Sequence, residues 1–158
     1  MKNTISIRAM KYEDLKNVAL IIDDNGLFPS DYLGDMTTKY FDGSSEERWF
    51  VAELEDNQVI GVAYVAPEIM TDKTWNLLLI AIFKSYQNLK LGQSIIKAVE
   101  EELEAYKARI LLIETSGLEN YAAARKCYLN SNYQHIATLP DYYEDGDDKL
   151  VFMKKLSI

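Results

Sequence analysis

Gln87, Lys90 and Gly92 lie in a segment, Tyr86-Gln87-Asn88-Leu89-Lys90-Leu91-Gly92-Gln93-Ser94-Ile95-Ile96, that joins two patterns of different period. Before it, Trp75 to Ile82 is a strand-like apolar run; after it, an amphipathic pattern continues to about Tyr106. A strand that turns tightly into a helix aims several unpaired N–H groups, and the positive end of the helix dipole, at one spot. That spot suits a phosphate or pyrophosphate. Lys84, Lys90, Lys97, Arg125 and Lys126 fall close to this turn or on the next helix, and would supply the local basic groups a polyanion needs. An ordinary strand-to-helix turn has a similar composition, so the surrounding elements decide between the two.

Other residue types narrow the chemistry further. Glu114 ends the run Ile110-Leu111-Leu112-Ile113, and Glu68 follows Pro67 at the end of another strand pattern. A carboxylate at a strand end beside a cleft suits a general base, acting directly or through a water; an exposed rim charge is the alternative. His135 falls in the penultimate strand pattern and reads as a structural or surface histidine. With one histidine, one cysteine and no ligand spacing, no metal site is expected. The segment Asp141-Tyr142-Tyr143-Glu144-Asp145-Gly146-Asp147-Asp148 sets two tyrosines among five carboxylates. It suits either a cation or a solvated turn around Gly146.

These residues are placed by a recognisable order of elements. Ile5-Ser6-Ile7-Arg8 alternates as a strand, and Leu15, Val18, Ala19 and Ile22 repeat at helical spacing from about Glu13 to Asp23. Asn25-Gly26 stops that helix and Pro29-Ser30-Asp31 starts another. Trp49 to Leu54 and Val59 to Ala66 read as a hairpin. Trp75 to Ile82, apolar nearly throughout, is expected to be central and covered on both faces. After the turn, Leu91, Ile95, Val99 and Leu103 mark the buried stripe of a helix. A strand from Ile110 to Ile113, a helix from about Asn120 to Asn130, and strands Tyr133–Leu139 and Leu150–Lys155 complete the chain. Pro140 and the acidic segment separate the last two. No repeat or linker interrupts the order β-α-α-β-β-β-α-β-α-β-β, so a single mixed α/β domain over residues 1–158 is expected.

The turn and the element order together resemble the GNAT family of N-acetyltransferases. Its loop pattern, Gln/Arg-x-x-Gly-x-Gly/Ala, is matched by Gln87 and Gly92, with Lys90 in place of the first glycine. Lys126-Cys127-Tyr128-Leu129-Asn130-Ser131-Asn132-Tyr133 is similar to the family's Phe-Tyr-x-x-x-Gly-Phe, with Tyr128 on the tyrosine and Asn132 on the glycine. The resemblance implies a central, mostly antiparallel sheet of about seven strands flanked by about four helices. It also implies acetyl-CoA as co-substrate, its pyrophosphate on Gln87, Asn88, Leu89, Lys90, Leu91, Gly92, Gln93 and Ser94. The main chain of Ile80, Ala81 and Ile82 would hold the pantetheine arm and the acyl carbonyl. Tyr128 would be the general acid for the thiolate leaving group, with Glu114 the candidate base. Asn120 takes the neighbourhood of a family asparagine, either capping the helix or reaching the pantetheine amides. Arg125, on the face of Tyr128, meets either a cofactor phosphate or solvent. The implied activity is direct transfer of an acetyl group to a primary amine, on a small molecule or a peptide N-terminus. A catalytically silent acyl-CoA-binding or partner-binding domain on the same fold is the alternative.

Composition bounds the rest. With 158 residues, 48% hydrophobic and 27% charged, the chain has an ordinary globular balance. Its formal net charge of −8 argues against a general nucleic-acid binder and is compatible with a cationic acceptor. No apolar run approaches the roughly 18 residues of a membrane span. The lone Cys127 and the absence of a signal-like apolar stretch point to the cytoplasm. A homodimer is left open.

Overall fold

The computed structural model describes residues 4–87 and 89–156. Its elements are β1 (Ile5–Ala9), α1 (Leu15–Asn25), α2 (Leu33–Asp42), β2 (Arg48–Leu54), β3 (Val59–Pro67), β4 (Thr74–Ile82), α3 (Leu91–Glu104), β5 (Ile110–Ser116), α4 (Ala122–Asn130), β6 (Gln134–Glu144) and β7 (Asp147–Lys155). The strands form one sheet in the order β1-β2-β3-β4-β5-β7-β6. Every neighbouring pair is antiparallel except β4 and β5, which α3 joins as a parallel crossover. The mixed α/β class, the seven strands and the four α-helices are as expected.

Apolar residues of alternate parity build a core on each face of the sheet. On one face, Ile95, Ile96, Val99 and Leu103 of α3 pack with Phe50, Ala63, Leu77, Leu111, Ile113 and Phe152. On the other, Val18, Ile21 and Ile22 of α1 and Leu33 of α2 pack on Trp49, Val51, Val62 and Ala81. Among the described residues, no member of β5, β6 or β7 belongs to this second core. Helices α1 and α2 therefore cover only the β1–β4 half of that face. On the β5–β7 half, Glu114 and Val151 are only partly buried.

Strand β4 departs from the sequence expectation. It pairs with β5 only through Thr74–Leu77 against Ile110–Ile113. Beyond that point the two strands part, so Leu78 is 50% exposed and Leu79 and Ile80 are half-buried rather than covered on both faces. The register with β3 slips at the same place: Tyr64 faces Leu79 but Val65 faces Leu77, which leaves Leu78 as an extra residue. Such a bulge bends its strand and here turns β4 away from β5. Hydropathy reports that a run is apolar; it does not report where its partner strand leaves.

The acidic segment also differs. Strand β6 runs on to Glu144 and β7 starts at Asp147, so only Asp145 and Gly146 form the turn. Pro140 falls where the pairing jumps from Leu139–Lys149 to Glu144–Asp147. A residue without an N–H is tolerated in such an unpaired stretch.

Helix α3 rests directly on the sheet at Gly61. A Cβ there would lie 3.0 Å from Ile95 Cδ1 and 3.2 Å from the Ala81 carbonyl oxygen. Gly61→Val is expected to cost about 1–3 kcal/mol in a denaturant titration. Combined with Ile95→Ala, it should lose less than the sum of the two single changes, since Ile95 is the side chain that the new branch meets.

Candidate active site

The parting of β4 from β5 opens a groove of about 660 Å³. Leu78, Ile80 and Ala81 form one wall, Glu114 and Thr115 the other, and Tyr128 of α4 closes the space between them. Gln87, Lys90, Gly92 and Gln93 stand at one end, and Asn120 lines the groove from the start of α4. The structure thus gathers most of the residues singled out above around one space. Asn88 lies outside the described residues.

Main-chain direction along β4 decides what the open wall offers. Phe83 N–H donates to the Ile60 carbonyl at 3.0 Å, and Val62 is paired with Ala81. In an antiparallel pair alternate residues turn both polar groups toward the partner. Ala81 and Leu79 therefore face β3, in keeping with the Ala81 carbonyl lying close to Gly61. Ile80 and Ile82 face the groove. The Ile82 carbonyl confirms this direction, because it accepts from Asn25 Nδ2 at 2.9 Å and Gln87 Nε2 at 3.0 Å. Of the three residues expected to offer main-chain groups, Ile80 turns its own toward the groove and Ile82 only its N–H, since Asn25 and Gln87 hold the Ile82 carbonyl and β3 takes up the Ala81 main chain.

The turn between β4 and α3 is built in two parts. Its first part is fastened to the end of α1. Lys84 N–H donates to Asp24 Oδ2 at 2.7 Å, and Gln87 Nε2 also donates to Asn25 Oδ1 at 2.9 Å. The Gln87 side chain is thus occupied by α1 and β4. The second part is Leu89 to Ser94. Lys90 precedes α3 with φ 61° and ψ 18°, the left-handed conformation that a glycine adopts at no steric cost. Ser94 N–H is bonded to the Lys90 carbonyl at 3.3 Å, so the N–H groups of Leu91, Gly92 and Gln93 precede the first helical bond and have no acceptor within α3. Among the described residues no side-chain hydrogen bond caps this helix end. Lys84, Lys90 and Lys126 line the groove around this helix end.

Gly92 serves packing as well. A Cβ there would sit 3.2 Å from Cys127 Sγ, so its smallness lets α3 and α4 approach below the turn. Burial pushes the Cys127 thiol pKa up, as suits a packed, unreactive cysteine. Asn120 lies in a one-turn 3₁₀ helix ahead of α4, and no side-chain hydrogen bond caps either helix there. The N-cap positions of these helices are Leu118 and Tyr121, with Asn120 between them. Arg125 turns away: its Nη1 donates to the Ser116 and Leu118 carbonyls at 2.8 Å each, bracing the connection from β5 to α4. His135 is exposed, with Nε2 near the Ala137 carbonyl and Thr138 Oγ1. Asn132 has φ 71°, so asparagine does stand in for a left-handed glycine after α4.

Tyr128 is 6% exposed and packs edge-to-face on Phe152, with ring centroids 5.7 Å apart. Burial, with smaller contributions from Cys127 and Tyr143, pushes its phenol pKa well above the usual value. It therefore stays protonated throughout the neutral range. Glu114 projects from β5 on the opposite face from Leu111 and Ile113. Its Oε1 accepts from Asn76 Nδ2 at 2.7 Å, and its Oε2 is ion-paired with Lys149 of β7. Glu68 Oε1 accepts from the same Asn76 nitrogen at 2.8 Å. The Lys149 ammonium lies 4.2 Å from the centroid of the Tyr142 ring. Burial alone lowers the Lys149 pKa, but Glu114 outweighs it and the net shift is upward. Asn76 and Lys149 were not singled out from the sequence; the one available signal was an amide inside an otherwise apolar strand.

Residues 45–142 match the acetyltransferase (GNAT) domain family. The chain belongs to the GNAT acetyltransferase family. An uncharacterized N-acetyltransferase of Methanocaldococcus jannaschii is 26% identical over 113 residues, 68% of this chain and 65% of that protein. The aligned part is thus just under two thirds of that relative's length. A GNAT-family protein of Desulfovibrio desulfuricans superposes with a TM-score of 0.86 at 25% identity, over 98% of this chain and 100% of the other. Spermidine N-acetyltransferase of Vibrio cholerae, solved in complex with CoA and spermine, superposes with a TM-score of 0.81 at 14% identity, over 96% and 95% of the two chains. The latter likeness concerns the fold.

Within this GNAT chain the left-handed Lys90 generates a direct test. Lys90→Gly is expected to raise stability by about 0.5–1 kcal/mol in thermal or denaturant unfolding, by relieving a conformation that costs a non-glycine residue about that much. A fall in stability would mean that the lysine side chain contributes more than the backbone strain removes.

Proposed function

We propose that this protein is an acetyl-CoA-dependent N-acetyltransferase that moves an acetyl group directly to a primary amine. The observation that carries this reading is the groove itself. It joins a helix N-terminus that no described side chain caps, a run of strand edge with main-chain groups turned to the groove, and a buried protonated tyrosine. In this reading the N–H groups of Leu91, Gly92 and Gln93, with Lys84, Lys90 and Lys126, bind the pyrophosphate. The Ile80 main chain and the Ile82 N–H pair with the pantetheine amides as an added strand would. Acetyl-CoA supplies an activated acyl group as a thioester. The amine nitrogen attacks the thioester carbonyl carbon, the C–S bond breaks, and the Tyr128 hydroxyl donates its proton to the departing sulfur. Glu114, directly or through a water, takes the proton that the amine loses. The acceptor, a small molecule or a peptide N-terminus, reaches the thioester from the sheet face that α1 and α2 leave uncovered.

One observation favours the rival reading of a silent acyl-CoA-binding domain: Glu114 is held by Lys149 and is not free to act as a base. Calorimetry with acetyl-CoA and thiol release over an amine panel separate the two, since the silent domain binds without releasing CoA on any amine.

Tyr128→Phe keeps the ring and its contact with Phe152 and deletes only the hydroxyl. Turnover is expected to fall about ten- to a thousandfold, the range for one positioned proton donor, with acetyl-CoA affinity nearly retained. Wild-type turnover in a folded Tyr128→Phe protein would reduce Tyr128 to a packing residue.

A further inference from the structure

The face of the sheet opposite α3 and α4 carries a second constellation. Asn76 is 2% exposed, and both groups within reach of its Nδ2 are carboxylates, which accept only. That fixes the orientation of the amide and leaves Asn76 Oδ1 buried without a donor among the described residues. A buried amide that leaves one end unsatisfied to hold two glutamates places Glu68 and Glu114 side by side. Two adjacent carboxylates sharing a single neutral donor attract a cation. The cation now in place is Lys149, paired with Glu114 and seated on the Tyr142 ring. An alkylammonium between a carboxylate and an aromatic face is favourably held.

We propose that Glu68, Asn76, Glu114 and Tyr142 form the ammonium site for the acceptor, that the acceptor is an alkyl amine of the diamine kind, and that Lys149 is an internal plug which the acceptor displaces. The inference names the substrate class of the reaction proposed above and takes its catalytic meaning from that reading. The chemistry is one of exchange. Lys149 Nζ and a primary alkylammonium have the same charge and the same donors, so the entering cation replaces the contacts that the plug gives up. Its second amine, a few carbons away, remains to be acetylated at the groove. Lys149 is set against Ser116 in the register of β5 and β7, so its backbone stays in place while its side chain swings out.

The test is calorimetric titration of 1,4-diaminobutane, without acetyl-CoA, into wild type, Lys149→Met, Lys149→Arg and the double variant Lys149→Met/Glu68→Gln. Lys149→Met is expected to bind the diamine about three- to tenfold more tightly than wild type, the scale of one partly exposed ion pair. Lys149→Arg, which keeps a plug, should bind as wild type does, and Glu68→Gln should cancel most of the gain. A Lys149→Met protein that binds no better than wild type overturns the proposal, as does an equal gain in Lys149→Arg. If Lys149→Met does not fold, Lys149→Gln carries the same comparison. The two readings fail separately. Amine turnover without tighter binding in Lys149→Met removes the plug and leaves acetyl transfer. Tighter binding without turnover on any amine supports the site and removes acetyl transfer.

Discussion

The structure depends on the parting of two central strands. Strands β4 and β5 are hydrogen-bonded only as far as Leu77 and Ile113, and beyond this a sheet interior becomes a pair of free edges. Free main-chain groups inside a protein are costly unless something satisfies them. At Ile82 two amide side chains, Asn25 and Gln87, do so for the carbonyl. One strand turn earlier, Ile80 is left for a ligand. The bulge at Leu78 sets where the edge begins, and Tyr128 on α4 fills the space that a continuing β5 partner would have occupied.

The same parting explains why the turn at the groove mouth is fastened where it is. On the proposed reading this turn holds an anion by main-chain N–H groups, and such a turn needs its backbone fixed by other means. Asp24 and Asn25, at the end of α1, take hold of Lys84 and Gln87, while Gly92 lets α4 approach α3 from below. The left-handed Lys90 starts the helix at the required angle and sets an ammonium at its mouth. The cost of about 1 kcal/mol is modest beside the interaction of a charged group with a phosphate.

Much of this was legible in the sequence, and the failures have physical causes. Element order followed from periodicity, because α1, α3 and most of the strands carry clear apolar patterns bounded by turn residues. Asn132 was readable because a left-handed residue after a helix admits few side chains. The path of β4 was not readable: the bulge at Leu78 arises from its register with β3, and the loss of pairing arises from β5, thirty or more residues onward. Gln87 matched a loop pattern, yet its side chain is taken by Asn25, 62 residues earlier. Helical spacing left Arg125 open between a cofactor phosphate and solvent, because spacing along a helix does not reveal that two carbonyls of the preceding connection lie within its reach. Asn76 was hidden in an apolar run, where its role depends on two glutamates brought in by other strands.

An acidic chain that is to take an anionic co-substrate, as proposed here, must keep its charges apart. The net charge of −8 would repel a pyrophosphate if it were spread evenly. Instead Lys84, Lys90 and Lys126 line the groove near the start of α3, while Glu68 and Glu114 gather around Asn76 at the point where the strands part. Charge effects fade over about 8–10 Å at ordinary ionic strength, so each site is governed mainly by its own neighbours. Glu114 belongs to both: it lines the groove and lies against Lys149. On the proposed reading, an anion entering along β4 and a cation entering over Asn76 would meet at this one carboxylate.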